Sequence, residues 1–253
     1  KQKNNVGDVP PTLFFILNYF RKMIYFFVVH TQKINKNSIF INHFDGNAFG
    51  DNPKYILMEL LKIHDNFDIY WVCNKSESIP PLPCIHYIKP FSLQAIYRQA
   101  VSLFWISTVR MPYYSIKRQK QFYIQTWHGG LAFKKIEKEC EEVLSSRYIR
   151  IAKHDSSMID CYISDNKDNT QQIKEYFWYK KGKIYEIGSP RNDLFFANNK
   201  EELKMKMGYL NKRVAVYAPT FRVDGSFKSY NINLDYLKKC LKKRFGGEWI
   251  IIL

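Results

Sequence analysis

The chain has 253 residues, 46% apolar and 25% charged, a globular balance that excludes a disordered or fibrous protein. Lys and Arg number 39 against 23 Asp and Glu, a formal charge of +16. That surplus implies anionic partners (nucleic acid, an acidic membrane surface or a phosphate-rich substrate) without choosing among them. The cysteines Cys73, Cys84, Cys140, Cys161 and Cys240 are scattered, with no Cys-x-x-Cys pair. They support neither a zinc site nor a disulfide framework, and they fit a reducing, cytoplasmic setting.

Residues 1–37 form an N-terminal segment. Lys1 to Pro11 is polar, and Leu13 to Val29 is strongly apolar but interrupted by Asn18, Arg21 and Lys22. A spanning helix needs about 20 predominantly apolar residues, and a central Arg-Lys pair is costly there. No small-residue cleavage site follows, which argues against a signal peptide. The segment reads as a helix that either packs on the domain or lies on a membrane surface.

Residues 38–187 alternate between strand and helix patterns. Ile39-Phe40-Ile41 is a short strand. The loop after it contains Gly46 and leads to Asp51-Asn52-Pro53-Lys54, where Asp51 or Asn52 caps a helix with Pro53 in its first turn. Tyr55, Ile56, Met58, Leu60 and Leu61 give that helix a broad apolar face. Ile69 to Cys73 and Ile85 to Ile88 are strands, separated by a turn rich in Pro80, Pro81 and Pro83. Ser92 caps a short helix through Ala100, and Leu103 to Ile106 and Phe122 to Ile124 are further strands. This alternation predicts an α/β fold, a parallel sheet with helices on both faces.

The Phe122 strand runs into Gln125-Thr126-Trp127-His128-Gly129-Gly130-Leu131-Ala132-Phe133-Lys134-Lys135. His128 thus sits at the carboxyl end of a strand, the edge where open α/β sheets bind ligands. Gly129 and Gly130 let backbone N–H groups approach a ligand, a helix start favours an anion, and Lys134 adds positive charge. On spacing alone, His128 is either a hydrogen-bonded structural residue or a catalyst. Ile136, Cys140, Val143, Leu144, Tyr148 and Ile151 recur at helical spacing and predict one long helix. His154 lies beside Asp155, but adjacent residues do not face each other, so His154 reads as a surface residue. Cys161 to Ser164 is a strand, Gln171 to Trp178 a helix, and Ile184 to Ile187 a strand that enters Gly188-Ser189-Pro190-Arg191-Asn192-Asp193. Arg191 can fork onto a phosphate, or it pairs with Asp193 or caps a nearby helix.

Residues 188–253 read as the start of a second domain. Val214 to Arg222 is an apolar strand ending in a polar loop with Thr220 and Arg222. Leu234 to Phe245 is a basic amphipathic helix, and Gly246-Gly247-Glu248 turns into the strand Trp249 to Leu253. A buried strand calls for a covering helix after it, so the sequence reads as the front part of a longer protein.

The Trp127-His128-Gly129 turn, followed by Leu131 and the Lys134-Lys135 pair, is similar to the Trp-His-Gly-Thr motif of the CDP-glycerol glycerophosphotransferases. These are the teichoic acid primases and polymerases of bacterial cell walls, with related capsule polymerases. The match departs at Gly130, where many members carry Thr. Three further stretches resemble the family in the same order: the glycine loop with Asp51-Asn52-Pro53-Lys54, Gly188-Ser189-Pro190-Arg191-Asn192-Asp193, and Tyr217-Ala218-Pro219-Thr220-Phe221-Arg222. The shared order across roughly Ser38 to Leu253 is more specific than any one motif.

The resemblance implies a GT-B-like fold, two Rossmann-like domains with the active site between them, the second incomplete in this chain. It implies transfer of glycerol phosphate from CDP-glycerol to a hydroxyl of a growing teichoic acid or capsule polymer, with release of CMP. In that reading His128 is the base. Gly129, Gly130, Lys134, Arg191, Asn192, Thr220 and Arg222 bind substrate, and Gly46, Asp51 and Asn52 lie on a loop near the site, with helix capping the main task of Asp51. No cofactor is implied and no metal site is assigned. The acceptor is a polyol phosphate or lipid-linked saccharide, and the enzyme sits peripherally on the anionic inner face of the bacterial membrane. The family's later Arg-x-His-Pro and Ser/Thr-Asp-Tyr-Ser-Ser segments do not occur in these residues. Alternatives are a CDP-ribitol transferase of the same family and a nucleotide-sugar GT-B glycosyltransferase. A nucleic-acid-binding protein ranks below both, because no recognition module is present and no specific nucleic acid is expected.

Overall fold

The computed structural model describes residues 11–64, 66–75, 81–82, 84–130, 135–197, 199–218 and 232–253. Its contacts divide the chain into two units, one ending at Leu194 and the other running from Phe195 to Leu253.

The first unit contains α1 (Pro11–Thr31), β1 (Asn35–Asn42), α2 (Asp51–Ile63), β2 (Asp68–Val72), β3 (Ile85–Ile88), α3 (Leu93–Val101), β4 (Ser102–Ser107), β5 (Phe122–Gln125), α4 (Ser146–Met158), β6 (Cys161–Ser164), α5 (Lys167–Tyr176) and β7 (Lys183–Glu186). The strands form a seven-stranded sheet in the order β3-β2-β1-β4-β5-β6-β7, with every pairing parallel. Successive strand residues point to opposite faces, and the burial follows that alternation. Phe40, Tyr70, Val72, Trp105, Tyr123 and Tyr162 join one core with residues of α1 and α3. Their neighbours Ile39, Ile41, Ile69, Trp71 and Ile106 join the other core with Leu57 of α2. Both faces are therefore covered, as the α/β reading requires.

The chain builds β1, β2 and β3 outward in one direction, then returns to place β4 on the other flank of β1. The carboxyl ends of β1 and β4 form the switch point, where such sheets open a crevice for ligands.

Helix α1 packs on α3 and buries Tyr25 and Val28. Its two interrupting charges lie over aromatic rings, Arg21 at 5.8 Å from Phe91 and Lys22 at 5.5 Å from Tyr113. Arg118 donates to the carbonyl oxygens of Val29 (3.3 Å) and Gln32 (2.7 Å), satisfying groups that the helix end leaves open. Tyr19, Phe20, Met23, Phe26 and Phe27 remain exposed. The helix thus packs on the domain and also presents an apolar face. Among the described residues, no helix is long and apolar enough to cross a membrane.

Three expectations change. The long helix over residues 136–151 is instead a 3-10 segment, Glu137–Val143, followed by α4, which starts anew because the Ser145 hydroxyl accepts from the Tyr148 N–H at 3.2 Å. Glu137 sits at φ 52°, and its carboxylate turns inward to Arg110, which a continuous helix would not allow. His154 is half-buried rather than at the surface, with Nε2 3.0 Å from the Ser115 carbonyl oxygen. The cap position of α2 is Gly50 rather than Asp51 or Asn52, and Asp51 contributes from inside the first turn, its Oδ1 accepting the Asn52 N–H at 2.7 Å. By contrast, the Ser92 hydroxyl accepts from the Ala95 N–H at 3.1 Å and caps α3 as read.

The second unit holds α6 (Lys200–Lys206), β8 (Arg213–Val216), α7 (Leu234–Phe245) and β9 (Trp249–Ile252), with β8 and β9 paired in parallel. The Asn233 side chain caps α7 by accepting from the Tyr236 N–H at 2.9 Å, and Gly246 closes the helix at φ 67°.

Candidate functional site

Three strand ends converge at the switch point. β1 leads into His43 and a 3-10 turn, Phe44–Gly46; β4 leads into Thr108; β5 leads into Thr126, Trp127 and His128. Ladder hydrogen bonds continue past the strands, from Thr108 N–H to Asn42 O at 3.1 Å and from Thr126 N–H to Ser107 O at 2.9 Å. They hold the three loops in register. Gly46 is needed here twice over: it sits at φ +85°, and a Cβ would lie 3.1 Å from the Asn74 nitrogen at the end of β2.

His128 is half-buried, with Nδ1 2.7 Å from the backbone oxygen of Thr108. A carbonyl oxygen has no proton to give, so the neutral ring carries its hydrogen on Nδ1 and keeps the Nε2 lone pair. Among the described residues, Nε2 has no hydrogen-bond partner. The ring stacks on Trp127 at 4.4 Å and meets Phe44 at 4.9 Å, so its plane is fixed on both sides.

Trp127, Phe44, Asp45 and Asp51 all have positive φ, between 43° and 55°. For bulky side chains this conformation is uncommon and costs about 1–3 kcal/mol each. These residues gather at the ends of β1 and β5, so local strain concentrates on the loops around His128. What holds Trp127 is visible: its N–H donates to Gln125 Oε1 at 2.9 Å, and Gln125 in turn donates to Val109 O and Tyr123 Oη, each at 2.9 Å.

Beneath Trp127 lies a buried charge cluster. The Arg110 guanidinium is 5.5 Å from the Trp127 ring and 6.0 Å from that of Phe177. It donates to Glu137 at 2.7 Å and to Asp155 at 3.3 Å. Asp155 also accepts from Met111 N–H (2.9 Å) and Tyr123 O–H (3.1 Å), and Glu137 accepts from Tyr148 O–H. Burial pushes the Asp155 carboxyl up to about 6, with Arg110 opposing.

Arg191 reaches the same edge from the segment after β7. Its Nη1 donates to Asp51 Oδ1 at 2.9 Å and to the backbone oxygen of His128 at 3.2 Å, and its N–H donates to Asn52 Oδ1 at 3.2 Å. The partner of Arg191 is therefore Asp51, not Asp193. Its Nε and Nη2 make no hydrogen bond among the described residues. Gly129 is exposed, with none of the described residues within 4 Å of where a Cβ would stand. A Cβ on Gly130 would overlap Asp165 Oδ2, and Asp165 accepts from the Ser189 hydroxyl. The departure from Thr at Gly130 thus coincides with a carboxylate filling that space. Asn192 is exposed, and its N–H donates to Ser189 O at 2.8 Å within a turn. Lys134, Thr220 and Arg222 lie outside the described residues.

The structure brings together His128, Gly129, Asp51, Asn52 and Arg191 from the sequence-derived set, and it adds His43, Thr108 and Arg110. His43 is buried, its Nδ1 3.2 Å from Thr108 Oγ1. Burial lowers its pKa; the nearby Asp51 acts the other way, and His128 adds to the lowering. The only sequence signal for His43 was its place directly after a strand, and Thr108 offered none.

A family model described as CDP-Glycerol:Poly(glycerophosphate) glycerophosphotransferase matches residues 24–253. The chain is 30% identical over 241 residues to the teichoic acid poly(glycerol phosphate) polymerase of Bacillus subtilis, covering 90% of this chain and 32% of that protein. It is 30% identical over 257 residues to the teichoic acid glycerol-phosphate transferase of Staphylococcus aureus, covering 94% of this chain and 66% of that one. It superimposes on a solved structure of the wall teichoic acid polymerase TagF with a TM-score of 0.76 at 26% identity, over 95% of this chain and 63% of that one. The chain thus spans a third to two thirds of the length of these relatives. The match over residues 24–253, with relatives at this identity, means that the chain belongs to the CDP-glycerol:poly(glycerophosphate) glycerophosphotransferase family.

Proposed function

We propose that the protein transfers glycerol phosphate from CDP-glycerol to a hydroxyl of a growing teichoic acid, releasing CMP, with His128 as general base. The observation that carries this reading is the His128 ring, with Nδ1 bound to the Thr108 carbonyl and Nε2 without a hydrogen-bond partner among the described residues, at the switch point of the sheet. An alcohol is a weak nucleophile at neutral pH. A neutral imidazole nitrogen that takes its proton as the oxygen attacks is worth about 10²- to 10⁴-fold in rate. The O–H bond breaks as a new O–P bond forms, the proton goes to Nε2, and the bond to CMP breaks with its electrons leaving on the nucleotide. Negative charge develops on phosphate oxygens during this step. Arg191, fixed by Asp51 through Nη1 and with Nε and Nη2 making no hydrogen bond among the described residues, supports a role in holding those oxygens.

Residues 38–187 form the acceptor-side Rossmann-like domain, and residues 188–253 begin a donor-side domain of a GT-B arrangement, in which Lys134, Thr220 and Arg222 also bind substrate. The exposed aromatic face of α1 and the charge of +16 support peripheral attachment to the anionic inner surface of the membrane. Incubating the full-length protein with an acceptor polymer and either CDP-glycerol or CDP-ribitol, and measuring CMP, tests the reading. CMP from CDP-glycerol is expected. CMP from CDP-ribitol alone, or from neither, overturns it.

A further inference from the structure

Thr108 touches two imidazoles. Its backbone oxygen binds Nδ1 of His128 at 2.7 Å, and its hydroxyl lies 3.2 Å from Nδ1 of His43. The same hydroxyl oxygen accepts the Phe44 N–H at 3.2 Å. With Phe44 donating to it, the hydroxyl still has a proton to place. Among the described residues the acceptor within reach is His43 Nδ1. A hydroxyl that gives its proton to Nδ1 leaves the neutral ring with its hydrogen on Nε2. Thr108 therefore sorts the two rings into opposite tautomers. The carbonyl makes His128 a base at Nε2, and the hydroxyl makes His43 a donor at Nε2.

The two rings flank one phenyl group: His43 lies 4.8 Å and His128 4.9 Å from the Phe44 ring. Their placement at the ends of β1 and β5, either side of Thr108 after β4, puts both at the switch point. The His43 Nε2 has no hydrogen-bond partner among the described residues. A Cβ on Gly50 would stand 3.9 Å from that nitrogen, so the residue facing it offers no side chain to cover it. Gly50 has an extended backbone, φ −171°, which does not require glycine. Its missing side chain matters here for the room it leaves. Burial disfavours the charged ring, so His43 stays a neutral donor while His128 works beside it.

We infer that His43 is a second catalytic residue, whose Nε2–H donates a hydrogen bond to a non-bridging oxygen of the phosphate that the His128-activated hydroxyl attacks. This rests on the reaction proposed above. No proton leaves His43: the bond stabilises the charge that builds on that oxygen, and the proton of the alcohol goes to His128. A fixed neutral donor aimed at developing charge acts as an oxyanion-hole group does.

The two amide variants separate this role from packing. In His43→Gln the amide nitrogen reaches the place of Nε2. In His43→Asn it reaches only the place of Nδ1, keeping the contact with Thr108 and losing the donor. Steady-state CMP release by the full-length protein is measured for both, with thermal unfolding of each. His43→Asn is expected to lower kcat about 100-fold with KM for CDP-glycerol little changed, and His43→Gln to recover most of that loss. Thr108→Val, which removes the hydroxyl and leaves the carbonyl, should lower kcat about 10-fold, while Thr108→Ser should not. Wild-type turnover by His43→Asn, or equal losses in the Gln and Asn variants, overturns the inference while the wild type still releases CMP. A wild type that releases no CMP overturns the reaction and this inference together.

Discussion

The backbone oxygen of Thr108, at the end of β4, lies 2.7 Å from Nδ1 of His128, at the end of β5. Neighbouring strands of one sheet thus set the tautomer of the ring as well as its position. The other ring nitrogen, Nε2, faces away from Thr108, in the direction that this bond sets.

Arg191 is held in place by Asp51 and by the His128 carbonyl through a single nitrogen. Lysine has one ammonium and cannot bridge those partners while presenting a planar fork to phosphate. Arg191→Lys should lower kcat/KM for CDP-glycerol about 10- to 100-fold, the scale of a lost hydrogen bond to a charged group. Steady-state kinetics check this, and an unchanged kcat/KM would remove Arg191 from the substrate contacts.

The buried cluster of Arg110, Glu137 and Asp155 should dominate the response to mutation beneath Trp127. Arg110→Met leaves two carboxylates without their cation and should destabilise the fold by about 3–5 kcal/mol in urea unfolding. Its pH dependence has a definite sign. Burial pushes the Asp155 carboxyl from 3.8 up to about 6. A carboxyl raised in the folded state holds its proton more tightly there, so its contribution is fully present below 3.8 and lost as pH rises through about 6. In Arg110→Met the opposing charge is gone, and the loss should extend to higher pH. Urea midpoints at pH 5 and pH 8 for wild type and variant measure this. A variant no less stable than wild type at either pH would contradict it.

Gly130 and Asp165 should behave as a coupled pair. A side chain at position 130 collides with the Asp165 carboxylate, which Ser189 holds. Gly130→Thr should destabilise by about 1–3 kcal/mol, and Asp165→Ala should relieve most of that in the double variant. Additive losses in the double-mutant cycle would show that the two positions do not compete for space.

Much of this was legible from pattern. The strands from Ile39 to Ile184 were readable because their apolar runs alternate with helices of the right length, and the parallel sheet follows from that order. His128 stood out because a glycine pair ends its strand. Glu137 was misread as part of a long helix because its partner, Arg110, is 27 residues away, and periodicity carries no record of a distant buried charge. Thr108 acts through its backbone oxygen and hydroxyl on rings 20 and 65 residues away, so residue type alone could not mark it. Asp51 looked like a helix cap, and its pairing with Arg191 spans 140 residues.

Helix α1 buries Tyr25 and Val28 while leaving Phe20 and Phe27 59% and 65% exposed. Replacing the two exposed phenylalanines with serine should leave thermal stability nearly unchanged and weaken binding to anionic vesicles. High salt should weaken binding of the wild type, because the electrostatic part is screened. Vesicle co-sedimentation at low and high salt decides it. Equal binding by wild type and the double variant would place any membrane contact elsewhere.

The central claim is that His128 takes the proton of the attacking hydroxyl. The direct measurement is CMP release from CDP-glycerol by the full-length protein and its His128→Ala variant, in the presence of acceptor, with thermal unfolding of both. Turnover should fall by about 10²-fold or more in the variant, with the unfolding temperature close to wild type. CMP release near the wild-type rate from a folded His128→Ala protein would contradict the account.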